Sequence, residues 1–173
     1  ALDDAGLREN ALVLYTSDNG GYDSDNRPLR GVKGMLYEGG IRVPWIVRWP
    51  GKIKPGTINN TPIISTDCYP TLLEAASLPP TPDHPLDGRS LLPLFMQSPG
   101  FERDSLCFHY PNYAFHKQNR LGSAIREGAY KLIKYYDDDS LELYDLSKDI
   151  SEKQNLAAKS PEIAARLAAA GRP

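Results

Sequence analysis

Three stretches in the second half of the chain combine strand-forming residues with turn signals, and they constrain its fold more than any other feature. They read "SLCFHYP", "SAIREGAYKLIKYY" and "LELYDL", with turns predicted at "EGAY" and "DDDS". Runs rich in β-branched and aromatic residues, separated by short turns, are typical of antiparallel strands. The closing "SPEIAARLAAAG" predicts a helix, with Ser160 as N-cap, Pro161 at the first helical position and Gly171 as the stop. The sequence therefore predicts a small antiparallel sheet followed by a terminal helix.

The first part of the chain has a different pattern, which indicates an α/β arrangement. Residues 1–8 are predicted to form a helix, and "ALVLYT" at residues 11–16 is a continuous apolar run typical of a buried parallel strand. A second buried strand is predicted in "IRVPWIVRWPG". Helices are predicted in "STDCYPTLLEAASLPP", with Ser65 or Thr66 as N-cap, and at about residues 90–97. Because the chain opens in the middle of such a motif, we expect it to be a piece of a longer protein.

Polar residues suited to metal binding follow the first predicted strand. Asp18 and Asn19, in "TSDNGG", come directly after the apolar run, and in open α/β sheets sites form beyond the carboxyl ends of strands. A carboxylate and an amide carbonyl are hard oxygen donors, which suit Ca²⁺ or Mg²⁺. Asp, Asn and Gly are also favoured in tight turns. The pair alone therefore leaves a turn and a metal site both open.

Lys33 lies in the glycine-rich loop that follows, within "RGVKG". Glycine adopts positive φ freely, and it lets a backbone approach a ligand closely. A divalent metal beside a lysine suits a sulfate or phosphate group, because both cations neutralise oxygens that gain charge during transfer. A solvated surface lysine is the alternative interpretation.

Composition argues against two classes of partner. The chain is 40% hydrophobic with a net charge of −2, and neither sign forms a long block, so no nucleic-acid partner is predicted. No apolar run approaches the roughly 20 residues of a membrane span. Two cysteines are too few for a disulfide framework.

Five longer segments carry a resemblance to a known family. In chain order they read "LYTSDNGG", "PLRGVKGMLYEGGIRVPWIVRWPGKIKPG", "STDCYPTLLEAASLP", "LDGRSLLPLF" and "SAIREGAYKLIKYYDDDSLELYDLSKDISEKQNLA". Together they resemble the C-terminal part of a type I sulfatase, the arylsulfatase-like branch of the alkaline phosphatase superfamily. The resemblance implies an α/β fold. Residues 1–98 would be the C-terminal part of an alkaline-phosphatase-like α/β sheet domain with a connector, and residues 99–173 a small antiparallel β-sheet subdomain with a terminal helix.

The resemblance also implies roles for single residues. Asp18 and Asn19 resemble the family's second pair of Ca²⁺ ligands, and Lys33 resembles the lysine that contacts the sulfate. Val32 stands where a glycine is common in the family, but this departure leaves Lys33 aligned with the sulfate-contacting lysine. The implied reaction is hydrolysis of the sulfate ester of a small molecule or glycan. His109, in "CFHYPNY", is a candidate for the substrate pocket, with strand-end aromatic packing as the alternative.

Other parts of the implied reaction are expected outside the chain. The family's nucleophile is a formylglycine, made from the Cys or Ser of a C-x-P-x-R motif. The segment "CYPTL" has Leu72 in place of that arginine, so Cys68 is interpreted as a small buried hydrophobe. The nucleophile, the general acid and half of the Ca²⁺ ligands are expected in a missing N-terminal half. The isolated chain is therefore predicted to be inactive.

Two alternatives stay open at the level of sequence. A phosphodiesterase or phosphonate hydrolase of the same superfamily would use the same metal and lysine on phosphoryl oxygens. The second alternative is a non-catalytic module that binds a partner or assembles with a separate N-terminal chain. The family implies a periplasmic, secreted or lysosomal location, and the sequence itself leaves the compartment open.

Overall fold

The computed structural model describes residues 1–80, 83–112 and 119–171. In chain order its strands are β1 (Val13–Thr16), β2 (Trp45–Arg48), β3 (Leu106–Tyr110), β4 (Gly122–Glu127), β5 (Tyr130–Tyr135) and β6 (Leu141–Asp145). Its α-helices are α1 (Glu38–Ile41), α2 (Cys68–Ala75), α3 (Leu92–Phe95) and α4 (Pro161–Ala170).

The chain divides into two compact units, each built from two separate segments. The first unit comprises Ala1–Thr16 and Pro44–Arg103, and the second comprises Ser17–Val43 and Asp104–Pro173. The glycine-rich loop therefore folds with the C-terminal strands rather than with the strands that flank it in sequence.

The first unit contains a two-stranded ribbon. Strands β1 and β2 pair antiparallel, with Tyr15 opposite Ile46. These two side chains lie on one face of the ribbon and are 62% and 61% exposed. The prediction of a buried parallel strand at residues 11–16 is therefore wrong for the pairing seen here. An apolar run is compatible with either direction of pairing, and it is the partner strand that decides.

Short helices and turns form the rest of the first unit. The helix predicted at residues 1–8 is wrong, since this segment forms turns that lead into a 3₁₀ helix at Arg8–Asn10. The helix predicted in the "STDCYPTLLEAASLPP" segment is confirmed as α2, although Ser65–Asp67 forms a 3₁₀ turn ahead of it. Neither Ser65 nor Thr66 is the N-cap of α2: that position is Asp67, whose carboxylate accepts the Ile64 N–H at 2.9 Å. The helix predicted at residues 90–97 is confirmed in shorter form as α3.

The second unit contains an antiparallel sheet in the order β3-β4-β5-β6, which confirms the predicted meander. Each face of the sheet carries a buried apolar cluster. On one face, Ile125, Leu132 and Leu143 pack against Leu167 of α4, and the predicted terminal helix is thereby also confirmed. The opposite face forms a second apolar cluster, whose buried members are Leu36, Ala124, Ile133, Tyr135, Tyr144 and Leu146.

No helix within the described ranges is long and apolar enough to cross a membrane.

Candidate functional site

The Asp-Asn pair lies in a bend that is fixed by glycines. The Gly20 N–H donates to the Gly40 carbonyl at 2.9 Å. A Cβ added at Gly20 would lie 1.8 Å from the carbonyl oxygen of Gly39, so only glycine fits this approach of two backbones. The bend thus places Asp18 and Asn19 next to the turn of α1.

Lys33 lies beside the segment that follows this pair. Its backbone N–H donates to the Gly21 carbonyl at 3.1 Å. The Asn26 side-chain amide donates to the Gly21 and Gly31 carbonyls at 2.9 and 3.2 Å, which holds the loop closed. Gly31 and Gly34 flank the lysine turn with φ of +82° and +87°, a backbone conformation that favours glycine. The loop therefore doubles back and brings the lysine turn to the Asp-Asn bend.

Asp18 and Lys33 carry the two charges of the candidate site. Asp18 is exposed and Lys33 is half-buried. With the residues that the structure describes, neither the Asp18 carboxylate nor the Lys33 ammonium forms a hydrogen bond or ion pair. In the same loop Asp25 pairs with Arg27 at 2.6 Å, and hydrogen bonds from Arg27 lower the pKa of Asp25. Asp18 and Lys33 are thus available to a ligand.

The donor set fits a hard cation in kind but not in number. The side-chain oxygens of Asp18 and Asn19 are of the type that Ca²⁺ prefers, and Ca²⁺ takes six to eight oxygen ligands. Among the residues with described positions, no group of three or more His, Cys, Asp or Glu side chains is arranged to hold a metal ion. This part of the chain can therefore supply only some of the ligands of a Ca²⁺ site.

His109 lies apart from the other candidate residues. It is on β3, and its Nδ1 lies 3.0 Å from both the Ser123 hydroxyl and the Tyr136 hydroxyl. Strand alternation places His109 on the sheet face that α4 covers, whereas Leu36, in the loop of Lys33, packs on the other face. The structure thus brings together Asp18, Asn19 and Lys33 but not His109, whose role in the substrate pocket stays a prediction.

Cys68, the first residue of α2, has the environment of an unreactive thiol. Burial, with a smaller contribution from the Asp67 carboxylate, raises the pKa of Cys68. A cysteine nucleophile needs the opposite shift, because the thiolate is the reactive form. This environment supports the interpretation of Cys68 as a structural residue.

The sequence patterns did not predict a buried cluster of three charged side chains next to the glycine-rich loop of Lys33. Lys131 of β5 places its Nζ 2.9 Å from Glu38 Oε1 and 2.9 Å from Glu152 Oε1, and the three side chains are at most 3% exposed. We call these three residues the buried triad. The Glu152 Oε1 contact is outside hydrogen-bonding geometry, so it is an electrostatic contact rather than a directed bond. One signal was present in the sequence. Lys131, Ile133 and Tyr135 are spaced two residues apart on β5, so Lys131 lies on the same core-facing side of the strand as the other two.

The chain belongs to the sulfatases. The family model that describes the C-terminal region of N-sulphoglucosamine sulphohydrolase matches residues 32–169, which include Lys33, the buried triad and the whole antiparallel sheet.

Relatives of known sequence are sulfatases as well. A sulfatase of Formosa agariphila is 39% identical over 168 residues, covering 90% of this chain and 30% of the relative. Human arylsulfatase A is 35% identical, covering 94% of this chain and 37% of the enzyme. The chain thus spans about a third of the length of these relatives.

Solved structures of sulfatases have the same fold. The structure of Ps i-CgsB in complex with k-i-k-neocarrahexaose superimposes with a TM-score of 0.84 at 26% identity, covering 98% of this chain and 37% of that one. The structure of BT4656 in complex with its substrate D-glucosamine-2-N,6-O-disulfate gives a TM-score of 0.81 at 27% identity, with 98% and 35% coverage. The fold is that of the C-terminal part of an alkaline-phosphatase-like sulfatase, as the sequence predicted.

Proposed function

We propose that the chain is the C-terminal part of an enzyme that hydrolyses sulfate esters. In this proposal it contributes Asp18 and Asn19 to a Ca²⁺ site and Lys33 to sulfate binding. The observation that carries the proposal is the conformation of the loop. The Lys33 N–H bonds to Gly21, two residues after Asn19, while the Asp18 and Lys33 charges have no partner in the described ranges.

The proposed roles follow from the chemistry of these side chains. Ca²⁺, when bound, supplies a Lewis acid that polarises the sulfate oxygens. The oxygens of Asp18 and Asn19 would hold part of its coordination shell. The Lys33 ammonium would contact a nonbridging sulfate oxygen, and because the loop already fixes its backbone, little reorganisation is needed when charge develops there. The formylglycine nucleophile, the general acid and the remaining Ca²⁺ ligands would come from an N-terminal part, so the isolated chain would be inactive.

The substrate class is proposed from the solved relatives. BT4656 is in complex with its substrate D-glucosamine-2-N,6-O-disulfate, and Ps i-CgsB is in complex with k-i-k-neocarrahexaose. Both of those ligands are carbohydrates. We therefore propose a sulfated glycan as the substrate of the complete protein.

The metal role can be tested by calcium calorimetry on the complete protein. Asp18→Ala is expected to weaken Ca²⁺ binding by about 100-fold, because loss of a direct carboxylate ligand costs at least as much as loss of an outer-shell partner. Asp23→Ala is the matched control, since Asp23 is an exposed carboxylate of the same loop. The Asp23→Ala protein is expected to bind Ca²⁺ with the same affinity as the unsubstituted protein.

Two results would contradict this assignment. Equal Ca²⁺ affinity in the Asp18→Ala and Asp23→Ala proteins would remove Asp18 from the ligand set. Tight Ca²⁺ binding by the 173-residue chain alone would show that the ligand set is complete here, so that no second part is needed.

A further inference from the structure

We propose that the buried triad, Glu38, Lys131 and Glu152, positions the loop that presents Lys33 and Asp18. This inference rests on the proposed function, and it assigns a positioning role in the reaction to three buried charged residues.

Glu152 contacts the loop on both sides of Lys33. On the C-terminal side, one Glu152 carboxylate oxygen accepts the Glu38 backbone N–H at 2.7 Å. On the N-terminal side, the Glu152 backbone carbonyl accepts an N–H of the Arg30 guanidinium at 2.9 Å. The segment from Arg30 to Glu38 is thus held at its two ends by one residue, and Lys33 lies between them.

Further contacts hold both ends of the segment from Arg30 to Glu38 in place. The Arg30 guanidinium also donates to the Tyr144 hydroxyl at 3.0 Å and lies 3.9 Å from the centre of the Tyr37 ring. At the other end, Lys131 donates to the Glu38 carboxylate at 2.9 Å. Tyr144 belongs to β6 and Lys131 to β5, so the sheet acts as the rigid support of the loop.

The same support reaches the Asp-Asn bend. Glu38 is the first residue of α1, and the next two residues form the backbone contacts of the site. The Gly39 N–H donates to the Arg30 carbonyl at 2.7 Å, and the Gly40 carbonyl accepts the Gly20 N–H at 2.9 Å. A shift of α1 would therefore move Gly20, and with it the bend that holds the proposed Ca²⁺ ligands.

Two features distinguish the triad from an ordinary stabilising contact. Replacing buried ion pairs by apolar side chains is often neutral or favourable, so stability alone is a weak reason for three buried charges. Glu152 also has a φ of +51°, although it is not a glycine. Backbones held in such disfavoured regions are concentrated at functional sites.

A double-mutant cycle on the complete protein tests the proposal. Glu152→Gln keeps the size of the side chain but turns an amide toward Lys131. It is expected to lower kcat/KM for 4-nitrophenyl sulfate by about tenfold, since small misplacements of binding groups have effects of this order. In the Lys33→Ala background the same change is expected to have less than about a twofold effect, because residues that act through one another are not additive.

A control and a second readout accompany the cycle. Glu127→Gln is the matched control, because Glu127 pairs with Arg166 of α4 and is partly exposed. It is expected to leave kcat/KM unchanged. Calorimetry provides a readout that needs no turnover, and Glu152→Gln is expected to weaken Ca²⁺ binding by about tenfold, as for an outer-shell change.

The outcomes separate this inference from the proposed function. If Lys33→Ala alone leaves kcat/KM unchanged, both fail. If Lys33→Ala has its effect but Glu152→Gln is silent, or is equally strong in both backgrounds, only the positioning role fails.

Should Glu152→Gln not fold, Tyr144→Phe takes its place, because it removes only the hydroxyl that contacts Arg30 and Glu142. A fall of about threefold that disappears in the Lys33→Ala background supports the proposal, and an additive or absent effect overturns it.

Discussion

Replacement of Lys33 by alanine is expected to lower kcat/KM of the complete protein for a sulfate ester by about 10²–10³-fold, the usual effect of removing one preorganised group that stabilises developing charge. The loop already fixes the Lys33 backbone through Gly21, so the variant should lose the ammonium without loss of the fold. The measurement is the initial rate with 4-nitrophenyl sulfate over a range of concentrations. The thermal midpoint is recorded to show that the variant is folded.

Lys159→Ala is the matched control for this variant, because Lys159 is an exposed lysine of the same unit. It is expected to leave kcat/KM unchanged. Equal rates in the Lys33→Ala and Lys159→Ala proteins would reject the sulfate-binding role of Lys33. A folded parent protein that cleaves 4-nitrophenyl phosphate or a phosphodiester faster than the sulfate ester would instead favour the phosphoryl-transfer alternative.

Replacement of Asp67 by alanine is expected to reduce the free energy of unfolding by about 3–5 kcal/mol, the range for removing one partner of a buried ion pair. The Asp67 carboxylate receives both arms of the Arg103 guanidinium, at 2.6 and 2.7 Å. It also accepts the backbone N–H groups of Ile64 and Arg89 at 2.9 Å. Asp67 is fully buried and the Arg103 side chain is 7% exposed, so the variant leaves a buried cation without a counter-charge.

Urea unfolding measures this effect, and Asp87→Ala is the control, since Asp87 is an exposed carboxylate of the same unit. The control is expected to change stability by less than about 0.5 kcal/mol. A similarly small change for Asp67→Ala would show that the Asp67–Arg103 pair does not hold the first unit together.

The Asp67–Arg103 pair also predicts how the stability of the protein changes at low pH. Burial alone would raise the pKa of Asp67, but the hydrogen bonds from Arg103 and from the backbone outweigh it, and the net effect is to lower the pKa below the usual range of an aspartate. A carboxyl whose pKa is lower in the folded state contributes stability that is fully present above its unfolded pKa. That stability is lost as the pH falls through the folded pKa. The difference in stability between the parent and Asp67→Ala should therefore shrink below about pH 4.

The features that the sequence predicted correctly are those set by local patterns. The meander of β3 to β6 follows from strand-forming runs and turn signals that are close in sequence. The antiparallel pairing of β1 was not predictable in this way, because its partner lies beyond the whole glycine-rich loop. Asp18, Asn19 and Lys33 were singled out mainly by resemblance, since a tight turn and a surface lysine explain the same local pattern.

Local pattern indicates only that Lys131 shares a strand face with core residues, and it does not show that Glu38 and Glu152 lie beside it. Glu38 lies 93 residues from Lys131 and 114 from Glu152. Taken singly, each of the three is a charged residue that is ordinarily exposed. Their burial becomes understandable only when the fold brings them together, and Asp67 and Arg103 illustrate the same limit over 36 residues.

The division of each unit into two segments has a consequence for the timing of folding. Arg30 and Glu152 are 122 residues apart, and ribosomes add about 5–20 residues per second. The Lys33 loop is therefore synthesised roughly 6–24 s before Glu152, the residue that contacts both of its ends. During that interval the contacts of Glu152 with Arg30 and Glu38 are absent, so the loop cannot take up its final conformation.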